Sequence, residues 1–219
     1  MPANDKKPGA RQRLLDAAFA VIRQQGYSAT TVDELCNRAG VTKGAFFHHF
    51  KTKEALAVAA ADHWSEMTGG LFANAPYHQR ADPLARVLAY VDFRKDLVRG
   101  EIAAFTCLVG TMVQEAYGRH DEIRRACERS ICGHAKTLEQ DIAQAMAERG
   151  IADDWTAASL ALHTQAVIQG AFVLAKATGD AQVALDSIDH LRRYIERLLD
   201  RPPAGTRQAR SKPQPRRKG

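Results

Sequence analysis

The sequence predicts an all-α protein. Apolar residues recur at helical spacing almost without interruption from Ala10 to Asp200, no convincing alternating run for a β-strand occurs, and breaks carrying glycine or proline divide the periodic stretches. The 219 residues, 45% apolar and 26% charged, suit a soluble globular chain of one large domain or two small ones.

The first helix is expected at about 10–25, with Leu14, Leu15, Ala18, Phe19, Val21 and Ile22 forming its buried stripe and Gly26 ending it. Thr31-Val-Asp-Glu34 has the form of a capping box, Thr31 capping a new helix and Glu34 reaching back to its start. Ala39-Gly40 stops that helix within about two turns. Thr42 caps another short helix, to about His49 or Phe50, and Thr52 caps a third. Two short helices joined by a tight glycine turn, behind a longer supporting helix, make a helix-turn-helix.

Longer helices follow at about 52–68, 83–98, 102–116, 120–149, 153–178 and 181–200, with 69–82 as a loop because of Gly69, Gly70, Asn74, Pro76, Asp82 and Pro83. Asp153-Asp154 is placed to cap the apolar helix behind it. The organisation expected is a flexible arm at 1–9, a helix-turn-helix domain at 10–56, a second helical domain at 57–200 and a disordered tail at 201–219. That tail holds seven basic residues, four prolines and no acid.

Without the tail, 24 of the 31 basic residues stand against 25 acids, so the net charge of +6 belongs mainly to the tail, with a smaller excess at Lys6, Lys7, Arg11 and Arg13. Both ends suit an anionic partner or plain solvation. The polar first dozen residues do not read as a cleaved signal. Trp155–Ala175 is uncharged and long enough to cross a bilayer, yet Ser159, His163, Thr164, Gln165 and Gln169 fit a helix buried in a core or an interface. Cys36, Cys107, Cys127 and Cys132 form no CxxC pair and no zinc spacing, so reduced thiols in the cytoplasm, with no metal and no cofactor, are expected.

The run from Thr31 through Ala39-Gly-Val-Thr-Lys-Gly-Ala-Phe-Phe-His-His-Phe50 to Lys51-Thr-Lys-Glu54 closely resembles the DNA-binding signature of the TetR family, within a match spanning about Arg13 to Leu56. Periodicity places Leu35, Ala39, Val41, Phe46 and Phe50 against the first helix and turns Lys43, Gly44, Phe47, His48 and Lys53 outward. Exposed aromatics and bases beside a bare glycine suit a nucleic-acid groove. The resemblance implies DNA contacts from Thr31, Thr42, Lys43, Gly44, Phe47, His48, His49 and Lys53, with core or cap an equal alternative for His49. The family usually has tyrosine where Phe47 stands, so a phenol-to-phosphate bond is absent here.

Further along, Thr106–Glu115, a helix from His120 and Gln169–Asp180 more loosely resemble the effector-binding domains of the family's electrophile-responsive branch. This implies a regulator, a repressor by the family pattern, that binds a palindromic operator as a homodimer through the last two helices and is released by a small-molecule or electrophilic inducer. An effector site among 83–175 would draw on Phe93, Phe105, Cys107, Met112, Trp155 and His163. Cys107 reads either as a reactive thiol or as a buried inert one. An activator, or a helical interaction module without DNA, also fits the pattern. An enzyme does not: the histidines are scattered, and no phosphate loop, nucleophile elbow or HExxH occurs.

Overall fold

The structure, a computed structural model, describes residues 8–152 and 154–200. Most of the expected N-terminal arm and the whole basic tail lie outside the described residues. All regular structure among the described residues is helical.

Helix α1 (Ala10–Gln25) runs on the expected bounds and buries all six stripe residues. Helix α2 (Val32–Ala39) begins at Thr31, whose hydroxyl accepts the Glu34 backbone N–H, and ends at Gly40, in the left-handed region at φ 61°. The expected capping box is half made. The Glu34 carboxylate, instead of reaching back to its own helix start, accepts from the Gln25 side chain at 2.7 Å. Helix α3 (Lys43–His49) is capped by Thr42, and α4 (Lys53–Ala73) by Thr52, each hydroxyl taking the N–H three residues on.

The middle of the chain departs from expectation. Helix α4 continues through Gly69 and Gly70 to Ala73, and a 3₁₀ turn occupies Pro76–Gln79, so only part of 69–82 is loop. Glycine weakens a helix interior by about 1 kcal/mol without forbidding it. Phe72 is buried two residues beyond that pair, and its packing holds the last turn in place. Helix α5 is Pro83–Asp96, begun by the Asp82 cap. The single helix expected at 102–116 is two, α6 (Ile102–Phe105) and α7 (Leu108–Ala116), because Thr106 and Cys107 adopt extended backbone. Helices α8 (Asp121–Glu148), α9 (Ala157–Thr178) and α10 (Gln182–Leu199) complete the chain. The start of α9 is set by a capping box of Thr156 with Ser159 rather than by an aspartate cap.

Helix α8, about 40 Å long, joins two hydrophobic interiors. The first unites α1 to α4 with α7 and the beginning of α8, around Leu14, Leu35, Phe46, Met112 and Ile123. The second packs the end of α4 with α5, the rest of α8, α9 and α10, around Phe72, Tyr90, Ile142, Ile168 and Ile195. Each large aliphatic or aromatic side chain so buried contributes roughly 1.5–3 kcal/mol. Helix α9 is long and apolar enough to cross a membrane by composition. One side of it is core, while Leu162, Val173 and Leu174 stay close to half exposed, as does Tyr194 of α10.

The turn from α1 to α2 depends on Gly26, at φ 89° and ψ 166°, a region essentially confined to glycine. A β-carbon there would also strike the carboxylate of Glu115. Gly26→Ala is therefore expected to cost about 1–3 kcal/mol of stability, measured by chemical denaturation against the parent protein.

Candidate DNA-binding face and candidate effector cavity

Helix α3 has two unlike sides. Phe46 is completely buried and lies 6.1 Å from the Phe50 ring, whereas Phe47 beside it is 54% exposed. His48 and His49 are exposed, with their rings 4.9 Å apart. Around Gly44, the one heavy atom that an added β-carbon would approach is Thr42 Oγ1, at 3.7 Å. Internal packing thus gives no reason for glycine at this position. Lys43 Nζ lies 2.6 Å from Asp33 of α2 with both side chains mostly in solvent, and that hydrogen bond and charge raise the lysine above its ordinary pKa. Of the expected inward face, Leu35, Ala39, Phe46 and Phe50 are buried and Val41 is half-buried.

Lys53 corrects the expected outward set. Its ammonium turns inward and donates to the carbonyls of Tyr27 (3.0 Å) and Thr30 (2.8 Å), with Ser28 at 3.5 Å, and it lies 4.4 Å from the centre of the Tyr27 ring. Burial lowers its pKa, and the negative charge of Glu115 works against that shift. These carbonyls hold the ammonium by charge-assisted hydrogen bonds, so Lys53 serves the α1–α2 turn. Glu115 of α7 grips the same turn from the other side, accepting the Ser28 backbone N–H at 2.6 Å. His120, 3.3 Å from Glu54, stacks edge-on against Tyr27.

A cavity of about 620 Å³ lies where α1, α4, α5, α8 and α9 meet around α6 and the start of α7. Among the expected effector residues, Phe105 and Cys107 are on its wall. Phe93 is not. It packs behind the wall on Phe72 and Tyr77, with ring centres 5.6 and 5.9 Å away. Met112 is sealed in the first interior, and Trp155 is half-buried against the second. His163 is exposed on α9, next to the Tyr194 ring. The expected limits of 83–175 were also too narrow, because α1 supplies Phe19 and Arg23 and α4 supplies Trp64 and Phe72. Arg94, His134 and Gln165 were missed as well. Between Asp92 and Lys95, Arg94 reads in sequence as one more charge on a solvated helix face.

At the cavity's polar edge the Tyr90 hydroxyl lies 2.9 Å from His134 Nε2 and accepts from Gln165 Nε2 at 2.8 Å, while Arg94 Nη1 is 3.4 Å from the same imidazole nitrogen. Burial, with the Arg94 charge adding to it, pushes His134 down to about 3. A neutral ring that accepts at Nε2 satisfies both neighbouring donors.

Cys107 sits at the break before α7, its Sγ accepting the Gly110 N–H at 3.4 Å, and it borders both this cavity and a smaller one of about 330 Å³. Burial lowers the pKa of both Arg23 and Lys176, and each of the two lines a cavity that Cys107 also borders. Cys127, by contrast, is pushed up to about 12 by burial, and burial also raises Cys36.

Two outcomes follow from these placements. Replacing Lys53 with Met leaves two or three carbonyls without their cation, and stability should fall by about 1.5–3 kcal/mol. The salt dependence of DNA binding should stay at the parent slope, whereas a lost phosphate contact would reduce it by about one unit. For His134, the folded value of about 3 lies below the unfolded value of about 6.5, so the unfolded state takes up the proton first. Stability present above pH 6.5 should drain away as pH falls, at up to about 1.4 kcal/mol per pH unit. Denaturation at pH 7 and pH 5.5 should show a smaller loss in His134→Gln than in the parent.

Comparison with known proteins assigns both halves of the chain to a family. Residues 14–60 match the profile described as bacterial regulatory proteins of the tetR family, and residues 83–194 match the tetracyclin repressor-like C-terminal domain. The chain is 31% identical over 103 residues to the uncharacterized HTH-type transcriptional regulator YerO of Bacillus subtilis, a match that covers 43% of the chain and only 34% of that relative. It is 30% identical over 177 residues to the HTH-type transcriptional regulator BetI of Rhizobium meliloti, covering 79% of the chain and 81% of the relative. A regulatory protein TetR from Rhodobacter sphaeroides superimposes with a TM-score of 0.74 at 25% identity, over 86% of this chain and 98% of the other. With both halves matched and one profile alone spanning half of its length, the chain belongs to the TetR family of helix-turn-helix transcriptional regulators.

Proposed function

We propose that the protein is a repressor, working in the cytoplasm, that holds a palindromic operator as a homodimer and lets go when an effector fills the α1–α4–α8–α9 cavity. The observation that carries the DNA half is the solvent side of α3, where Lys43, Phe47, His48 and His49 surround a glycine that packing does not require. On DNA, Thr31 and Thr42 mark helix starts where backbone N–H groups meet phosphates, and Lys43 exchanges Asp33 for a phosphate. Gly44 admits close approach, Phe47 packs on thymine methyl groups or sugar, and His48 and His49 reach bases or backbone. These DNA-reading residues fall within 10–56, leaving 57–200 for effector binding and dimerisation.

The dimer reading rests on α9 and α10. Leu162, Val173, Leu174 and Tyr194 leave an apolar surface that a second copy would cover in an antiparallel four-helix arrangement. A two-fold axis there presents two α3 helices to half-sites about one DNA turn apart. Release follows from differential affinity: an effector that fits the cavity better in the spread arrangement lowers operator affinity by that difference. The route is short, since α1 lines the cavity and α7, which Cys107 caps, holds the α1–α2 turn through Glu115.

A second reading of the same site makes the effector an electrophile that alkylates Cys107. The half-buried Cys107 thiol, on the walls of both cavities, supports it, because such a reaction needs access to the sulfur.

The test is titration of the DNA upstream of the protein's own gene at two salt concentrations, with and without a thiol-reactive electrophile. Saturable binding that survives the higher salt is expected, and Lys43→Ala should reduce the log–log salt slope by about one unit. Release by the electrophile that Cys107→Ser abolishes selects the covalent route. An unaltered slope removes Lys43 from the interface, and the absence of specific binding to any selected sequence overturns the reading.

A further inference from the structure

The cavity wall carries three guanidinium groups, of Arg23, Arg94 and Arg129, and no aspartate or glutamate. Arg129 is answered from outside by Asp62, at 3.0 Å. Among the described residues neither Arg23 nor Arg94 has a carboxylate in ion-pair range, although the helix neighbours of Arg94 are paired, Asp92 with Arg192 and Lys95 with Asp189. Arg23 spends two donors on the carbonyls of Phe19 (2.8 Å) and Ala104 (2.7 Å), and Arg94 has one contact, at 3.4 Å, to His134. Each guanidinium has five N–H donors. Both groups therefore keep donors free beside the cavity.

Their positions matter as much as their charge. Arg94 lies over the rings of Phe72 (5.3 Å) and Phe172 (5.9 Å), and Arg23 over that of Trp64 (5.2 Å). An aromatic-walled cavity ordinarily suits a cationic guest, drawn to the ring faces. Here the protein's own cations already occupy ring faces of Phe72, Phe172 and Trp64, so a second positive charge would meet repulsion there. Burial lowers the pKa of Arg23, as expected of a cation partly withdrawn from solvent.

We infer that the ligand of this cavity is an amphipathic organic anion, an aromatic or aliphatic carboxylate whose acid group bridges toward Arg94 and Arg23 while its apolar body fills the space between Trp64, Phe105 and Phe172. The inference rests on the reading of this cavity as the effector site, and it narrows that site to one ligand class. A guanidinium takes a carboxylate through two parallel N–H···O bonds, which fixes the orientation of the acid as well as holding it. The Tyr90–His134–Gln165 group, neutral and internally satisfied, adds no competing charge. A volume of about 620 Å³ leaves room for a body larger than the acid group alone.

The experiment uses the full chain and the probes benzoate, 2-naphthoate and decanoate, each beside its uncharged amide, with 2-naphthylmethylammonium as the cation. Calorimetric titration at pH 7.5 should show at least one carboxylate binding at least tenfold more tightly than its amide, and the cation not binding. Arg94→Met keeps the stacking volume and loses the charge. It should bring that carboxylate down to the level of its amide and leave the amide unchanged. Arg23→Met is the second variant, used should Arg94→Met fail to fold by circular dichroism. Equal binding of amide and carboxylate, preferred binding of the cation, or binding of none of the three carboxylates overturns the proposal. So does a preference that survives both variants. Operator release is scored separately. A carboxylate that binds at this site without releasing DNA refutes the effector reading and leaves the anion site standing, while release by an amide or the cation alone does the reverse.

Discussion

The five residues from Gly26 to Thr30 are gripped from both sides, and the relation between the two halves of the molecule depends on that grip. Lys53 reaches back from the start of α4 to the turn's carbonyls, and Glu115 reaches across from the end of α7 to its Ser28 N–H. The turn also bonds within itself, Thr30 donating to the Tyr27 and Gly26 carbonyls, and the charged groups add the stronger kind of hydrogen bond. Because one clamp comes from the helix-turn-helix side and the other from the C-terminal half, α1 and α2 cannot rotate as a pair without breaking one of them. A ligand that shifts α7 by an ångström is working against a charged bond rather than a flexible linker.

The cavity is placed to exploit that arrangement. It lies between the two hydrophobic interiors, at the point where α7 has been separated from α6 by the extended Thr106-Cys107 segment. Close-packed interiors transmit displacement poorly in small increments and tend to hold discrete arrangements. A space left at their junction is therefore where a guest has most leverage. At Gly110 of α7 an added β-carbon would meet the side-chain amide of Gln169 of α9, so a larger residue there would displace that amide.

What could be read from the sequence was what short-range chemistry writes. The bounds of α1, the threonine caps at 31, 42 and 52, and the left-handed Gly40 all depend on neighbours within four residues, and their residue types announce them. The two sides of α3 were legible for the same reason, since helical spacing alone separates Phe46 from Phe47. Long-range partners were not legible. Nothing near Lys53 in sequence indicates the Tyr27 and Thr30 carbonyls, more than twenty residues away, and without them it reads as one more basic residue facing DNA. Phe93 and Phe105 have equal claims on a cavity by composition, yet packing puts one behind the wall and the other on it. Helix α4 outran its glycines because Phe72 had a tertiary site to fill, and the 102–116 helix broke where periodicity gave no warning.

The first hydrophobic interior ignores the boundary between the halves: Leu14, Leu35 and Phe46 share it with Met112, Ile123, Ala126 and Cys127. The helix-turn-helix is for that reason not a detachable cassette. Cut away from α7 and α8, it would present the underside of its own core to water, and grafted onto a relative's C-terminal half it would meet side chains shaped for a different lid. If the solvent side of α3 reads the operator as proposed, exchange of operator preference between such proteins occurs there, one surface residue at a time, while the layer beneath it is inherited together with the C-terminal half.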